Sequence, residues 1–397
     1  MLTSAEIIAK TNRLGAHNYQ PKDVVFATAQ GVDVYDPEGK HYYDMLSAYS
    51  AHNFGHLHPE IVQAAKEQLD KVTLTSRAFH NNLLGDWYEK ICEVTGQEMA
   101  LPMNTGTEAV ETALKTARWW GNAVKGVENG KQEIIVCENN FHGRSITIIS
   151  FSTDPLAKEH FGPYTPGFKI IPFGDAAALE AAISENTVAF LVEPIQGEAG
   201  IIVPPAGFLK KAREICTKHQ VLLICDEVQT GFARTGKMFA SQLEEVEPDI
   251  YILGKALGGG IMPMSGITAS REILGLYTPG SHGSTFGGNP LACACSLKAL
   301  EILVRDNYAQ QAAEKGAYFM NKLRTIQNGD ILDIRGKGLL IGVEFTGPAF
   351  GYVKKLIKNG VLAKETHDHT IRFAPPIIIS YEQIDDACER IKTAFQG

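Results

Sequence analysis

Long apolar runs are missing from this chain of 397 residues, and none approaches the length of a membrane-spanning helix. Basic charge is also short. Thirty-seven Lys and Arg stand against 45 Asp and Glu, which argues against nucleic acid or an anionic membrane as partner. Any bound anion must therefore be held by local groups. The seven cysteines (Cys92, Cys137, Cys216, Cys225, Cys293, Cys295, Cys388) are scattered, odd in number and often set among apolar neighbours. Reduced, buried thiols are expected rather than a disulfide framework, and Cys293-Ala-Cys295 lacks a second pair of metal ligands. No strand-linked Gly-x-Gly-x-x-Gly fingerprint is present, which argues against a nicotinamide dehydrogenase. Residues 1–10 read as a short amphipathic helix without signal-peptide or transit-peptide character. A cytoplasmic enzyme without structural metal fits these absences.

What remains is a composition able to fill a large core, 44% hydrophobic and 21% charged. The length predicts one large and one smaller domain, and no low-complexity segment, repeat or linker marks the boundary. Between about residues 100 and 290, short apolar runs alternate with helical patterns. Strands are expected at 133–137, 146–151, 188–192, 221–225 and 250–253, with a weaker one at 266–269, and a helix at 207–219. This pattern predicts an α/β fold with a mainly parallel sheet covered on both faces, binding its ligand beyond the strands' carboxyl ends. The two ends of the chain differ: 31–36 and 39–44 read as a hairpin, and strands are expected at 339–345 and 370–373 after a helix at 291–305. The expected division is 1–48 with 291–397 in a small domain, and 49–290 in a large one.

Lys255, in Leu253-Gly-Lys255-Ala-Leu-Gly-Gly-Gly260, follows Asp226 by about thirty residues. A lysine on a rigid support can form an imine with an aldehyde cofactor, and an acid can keep that cofactor's pyridine nitrogen protonated. Singly, each is more often a solvated lysine and a strand-end carboxylate. Together, with glycines crowding the lysine and an apolar strand delivering the acid, they point to pyridoxal 5'-phosphate. Thr105-Gly106-Thr107 opens a helical pattern whose first amides lack intrahelical acceptors, a phosphate cradle or else a routine cap before Glu108. Phe141 and Arg144 follow an expected strand. Phe141 could cover a cofactor ring and Arg144 could bind a carboxylate through two parallel hydrogen bonds, though a core Phe and a surface Arg are equally ordinary readings. His142 reads as a structural hydrogen-bonding group. Glu193 and Glu198 follow a buried strand, and Arg372 is a second carboxylate anchor or a solvent-facing strand arginine.

Taken together these residues resemble the class III aminotransferases of the fold-type I pyridoxal-phosphate enzymes, along nearly the whole chain. Gly15-Ala-His-Asn-Tyr19, Leu46-Ser-Ala-Tyr49-Ser, residues 72–79 and Glu193-Pro-Ile-Gln-Gly-Glu198 are most similar to members that act on the distal amine of L-ornithine with 2-oxoglutarate as acceptor. The resemblance implies that Lys255 links covalently to the cofactor, that Asp226 pairs with its ring nitrogen, that Phe141 stacks on the ring and that Gln229 lies near the phenolic oxygen. It also implies phosphate contacts from Thr105, Gly106 and Thr107, with Ser284 and Thr285 reaching in from a second subunit, so that a homodimer is the smallest active unit. Tyr19 and Arg144 would hold the ornithine carboxylate, Tyr49 would shape that pocket, and Glu198 would mask Arg372 until glutamate or 2-oxoglutarate binds. Members acting on N-acetylornithine or 4-aminobutyrate remain alternatives, as does, more remotely, a catalytically silent pyridoxal-phosphate-binding protein.

Overall fold

The computed structural model describes residues 2–396. Near the start of the chain β1 (Thr28–Gln30), β2 (Asp33–Tyr35) and β3 (His41–Asp44) form an antiparallel meander. The expected hairpin is its β2 and β3. The next strands, β4 (Met99–Met103), β5 (Glu133–Cys137), β6 (Phe168–Ile171), β7 (Thr187–Val192), β8 (Leu222–Asp226), β9 (Ile250–Leu253) and β10 (Ser265–Ala269), make one seven-stranded sheet in the order β4-β10-β9-β8-β7-β5-β6. All neighbours in it are parallel except β10, which runs against both β4 and β9. The carboxyl ends of β4, β5, β7, β8 and β9 therefore share one edge of the sheet.

Alternation along these strands feeds two cores. Ile134, Val136, Leu191, Ile224 and Ile252 pack with the helix Gly106–Ala123 on one side, while Ile135, Phe190, Val192 and Leu223 pack with the helix Phe208–Lys218 on the other. Both faces are apolar because both are covered by helices, which is why the strands read as continuous hydrophobic runs. Each such fully buried side chain contributes roughly 1.5–3 kcal/mol.

Beyond residue 290 follow the helix Pro290–Arg305, the helix Tyr308–Arg324 and a second antiparallel sheet. Its strands are β11 (Ile331–Lys337), β12 (Leu340–Phe345), β14 (Lys364–Thr366) and β15 (Thr370–Phe373), in the order β11-β12-β15-β14. The intervening β13 (Val361–Leu362) instead joins the meander, pairing parallel to β3 through Val361 with Tyr43 and Leu362 with Asp44. Arg234 ties these parts together. Fully buried, it donates to Asn53 Oδ1, to the carbonyl of Leu339 at 2.9 Å and to that of Pro375 at 2.6 Å.

One expected strand is absent: Ile146–Ser150 is a short helix. The chain has left the sheet by then, and β5 already has β6 and β7 on its two edges. Ile148 and Ile149 turn inward while Ile146 stays exposed, a one-sided burial that a helical turn satisfies and a two-faced strand does not.

Candidate active site

Five chain segments converge where the central strands end. Thr105 lies just past β4, His142 past β5, Glu193 past β7, Asp226 closes β8, and Lys255 lies two residues past β9. This is the edge where open α/β sheets bind ligands. Lys255 begins a short 3-10 turn with a left-handed φ of 46° and is half-buried. Burial lowers the pKa of its amine, opposed in part by the charge of Glu198. A neutral amine is what carbonyl chemistry requires.

Asp226 is buried and doubly held. Its Oδ1 accepts from the amide of Val228 at 3.0 Å, and its Oδ2 lies 2.7 Å from His142 Nδ1. Burial opposes charge on His142, but the hydrogen bond and charge of Asp226 outweigh it and the imidazole pKa is raised. Glu193 accepts from the amides of Phe141 at 2.9 Å and Gly197 at 3.2 Å. Burial pushes its carboxyl up to about 7, against the pull of His142 and with the repulsion of Asp226.

The helix Gly106–Ala123 starts with a full capping box. Thr105 Oγ1 accepts the amide of Glu108 at 3.2 Å, and the Glu108 carboxylate accepts the amides of Thr105 at 2.7 Å and Asn104 at 3.0 Å. The routine cap is thus present, and it leaves the amides of Gly106 and Thr107 without an acceptor among the described residues, available to an anion. Gly143, at φ 128°, packs directly against this turn, where a Cβ would lie 2.4 Å from Thr107 Oγ1. Uncommitted amides at a helix N-terminus, beside a half-buried lysine and a braced carboxylate, fit a phosphorylated aldehyde with a basic ring nitrogen.

Ser284 accepts from Asn104 Nδ2 at 2.7 Å within the same chain, and Thr285 is exposed. The loop carrying both is therefore next to the phosphate cradle but turned outward at its tip.

Charged anchors complete the crevice. Arg372, on β15, is 1% exposed and donates from Nη1 to Glu198 Oε1 at 2.6 Å and to Gln229 Oε1 at 3.2 Å. Its Nε and Nη2 have no partner among the described residues. Gln229 Nε2 donates to the same Glu198 oxygen at 3.1 Å, so the amide that was expected near a cofactor oxygen is shared by Glu198 and Arg372. Gly197 makes this approach possible, since a Cβ there would sit 1.9 Å from Gln229 Oε1. Burial alone would raise the Glu198 carboxyl, but the charges of Arg372 and Lys255 bring it down to about 2.

Tyr49 lies over the Arg372 guanidinium at 4.8 Å. Arg144, exposed and without an ion pair among the described residues, lies 5.7 Å from the ring of Tyr19 and 5.8 Å from that of Phe141. The sequence therefore places all the expected anchors in one region. His142, read as a structural hydrogen-bonding group, braces Asp226, whereas the sequence gave no role to Val228, whose methyls fill the space beside Gly106 and Gly254.

Residues 14–395 match the family model for aminotransferase class-III. The chain belongs to the class-III aminotransferase family. It is 58% identical over 397 residues to an ornithine aminotransferase of Geobacillus sp. (strain WCH70), covering 100% of both chains. The crystal structure of ornithine aminotransferase from Toxoplasma gondii ME49 superposes with a TM-score of 0.98 at 42% identity, covering 100% of this chain and 96% of that one. An acetylornithine aminotransferase from Elizabethkingia anophelis superposes with a TM-score of 0.91 at 46% identity, covering 100% of both. Class-III aminotransferases are pyridoxal-phosphate enzymes, and the mixed α/β architecture with its parallel-rich central sheet is that of fold type I.

Proposed function

We propose that this aminotransferase moves the δ-amino group of L-ornithine to 2-oxoglutarate, giving glutamate and glutamate 5-semialdehyde, which cyclises to pyrroline-5-carboxylate. The observation that carries the reading is the Glu198–Arg372 pair under Tyr49, together with Arg144, which has no ion pair among the described residues. One carboxylate anchor is closed in the resting site and the other is open. An amino donor with a single carboxylate is then held by Arg144 and Tyr19, which brings its distal amine to the reacting centre. An oxo diacid supplies a second carboxylate, which competes with Glu198 for Arg372 and its two unpartnered donors.

Bound pyridoxal phosphate supplies an aldehyde that exchanges amines and a ring that accepts electrons. Lys255 would hold it through Nζ and, when displaced, take up the proton leaving the substrate carbon at that same atom. Asp226, braced by His142, would hold the ring-nitrogen proton, and Phe141 would cover the ring. The amides of Gly106 and Thr107 would hold the phosphate with Thr105.

Ser284 and Thr285 would reach the phosphate of a second subunit, making a homodimer the working unit. Leu57, Phe79 and Phe286, exposed at 61%, 75% and 54%, support such an interface. Phe286 adjoins Thr285, and Asn81 donates to the carbonyl of Gly288, linking the two loops. No helix among the described residues is long and apolar enough to cross a membrane, and a cytoplasmic location is part of this reading. So is a small domain of residues 1–48 and 291–397 set against 49–290.

The 46% identical acetylornithine aminotransferase supports N-acetylornithine as a second reading, because that donor also presents a distal amine. Comparing kcat/KM for ornithine, N-acetylornithine and 4-aminobutyrate separates them. Ornithine should lead by at least about tenfold, or roughly 1.4 kcal/mol of transition-state preference; a lead for either of the others overturns the assignment.

A further inference from the structure

Tyr49 sits within four consecutive residues, Ser47 to Ser50, whose φ values are 51°, 44°, 61° and 72°. None is glycine. A left-handed stretch of this kind does not persist on local preference and must be held from outside.

The holding group is Asp44, at the end of β3 and 2% exposed. Its Oδ1 accepts from the amides of Leu46 at 2.9 Å and Ser47 at 2.8 Å, which fixes the entry to the turn. Its Oδ2 lies 2.9 Å from His56 Nε2. His56 is itself pinned, since its backbone exchanges two hydrogen bonds with Gly31 and its ring stacks on His52 at 4.3 Å. The Asp44 carboxyl is kept below its ordinary range. Burial opposes this, but His56 and the two amides outweigh it.

Without that clamp the Tyr49 ring has somewhere else to go. On one side lie Arg372 at 4.8 Å and Lys364 at 5.6 Å, both cations against the ring. Beside it opens a cavity of about 780 Å³, lined by Asp44, Tyr49, Phe26, His52, His56 and Leu362 among others. The two cations attract the ring, and the strained turn aims its backbone so that the ring meets Arg372 rather than this space.

We propose that Asp44, locked by His56, is a positioning residue that sets Tyr49 over Arg372 and thereby governs how readily Arg372 exchanges Glu198 for a substrate carboxylate. Asp44 acts through Tyr49, because its two oxygens are committed to the amides of Leu46 and Ser47 and to His56. The proposal rests on the function above for the names of the substrates, but the Asp44–Tyr49 coupling does not depend on which amine is the donor.

The test is a double-mutant cycle on the holoenzyme with Asp44→Asn and Tyr49→Leu. The readout is the ratio of kcat/KM for the amino donor to kcat/KM for 2-oxoglutarate. Asp44→Asn should shift that ratio about tenfold when Tyr49 is present and less than about twofold in the Tyr49→Leu background, because residues acting as one unit are not additive. Equal shifts in both backgrounds, or no shift with Tyr49 intact, overturn the proposal. Should Asp44→Asn fail to fold, His56→Gln removes the lock alone and must show the same dependence on Tyr49. Should the parent enzyme prefer an amine other than ornithine, the substrate reading fails, and the cycle run with that amine still decides the coupling.

Discussion

Removing Glu198 should convert a switched anchor into a permanently open one. The size of the effect follows from the pair itself. Arg372 is almost wholly enclosed; of its three guanidinium nitrogens Nη1 donates to Glu198 and Gln229, and Nε and Nη2 have no partner among the described residues. Holding the Glu198 carboxyl at about 2 instead of the ordinary 4.5 corresponds to roughly 3 kcal/mol of preference for its charged form. Loss of one partner of a buried ion pair costs about 3–5 kcal/mol, a similar figure. The Glu198 side chain is 26% exposed, so solvent screening reduces both. The charge of Lys255 contributes to the same shift, so the share that an incoming carboxylate must displace at Arg372 is about 1.5–3 kcal/mol, a factor of roughly 10–100 in competition. In Glu198→Ala, KM for 2-oxoglutarate should therefore fall, and ornithine should bind increasingly through Arg372 with its α-amine at the reacting centre. The assay is the partition between pyrroline-5-carboxylate and the α-oxo acid formed from ornithine. A shift of about 10–100-fold toward the α-oxo acid is expected. An unchanged partition with an unchanged KM would refute the masking argument. The same depressed pKa fixes a sign: the pair's stabilisation is complete above pH 4.5 and is lost as pH falls toward 2, and the variant lacks that loss.

Lys255→Ala should reduce turnover by at least the ~10²–10⁴ attributed to a general acid-base group, and borohydride should then leave no cofactor mass on the chain; turnover at the parental rate contradicts the role given to Lys255. Glu193 carries the opposite sign from Glu198. Its folded pKa is raised to about 7, so its contribution is intact below 4.5 and is lost as pH rises through 7, by on the order of 3 kcal/mol. Urea titrations of Glu193→Gln should show that decline flattened relative to the parent, and identical pH profiles would rule it out. Phe286→Asp places a charge on the exposed tip beside Thr285 and should shift sedimentation from dimer to monomer with weaker cofactor binding; an unaltered dimer removes Phe286 from the interface.

The crevice was legible because its acids and its lysine stand at the ends of apolar strands, where period and position coincide. Asp226 and Lys255 needed no more than that. Two strands of the same sheet escaped notice. β4 contains Pro102, which cannot donate to a ladder and is tolerated because β4 is an edge strand paired only with β10. β6 is the other edge, four residues long, with only Ile171 fully buried. Conversely Ile146-Thr-Ile-Ile has strand composition but forms a helix, because tertiary placement decided between two apolar periods. The burial of Arg372 could not be read from an arginine among apolar neighbours, since the same pattern describes a solvent-facing strand residue. Whether Glu198 meets it depends on how the loop after β7 approaches β15, a contact spanning 174 positions. The left-handed turn at Ser47–Ser50 leaves no trace in composition, since none of its residues is glycine.

The most direct test of the account is the visible spectrum of the purified holoenzyme before and after addition of L-ornithine, with no oxo acid present. Loss of the protein-linked cofactor band, accompanied by one equivalent of pyrroline-5-carboxylate per site, is the predicted result. A band that persists with ornithine but is lost with N-acetylornithine or 4-aminobutyrate would contradict the assigned donor, and a protein that shows no band after incubation with pyridoxal phosphate would contradict the site built around Lys255.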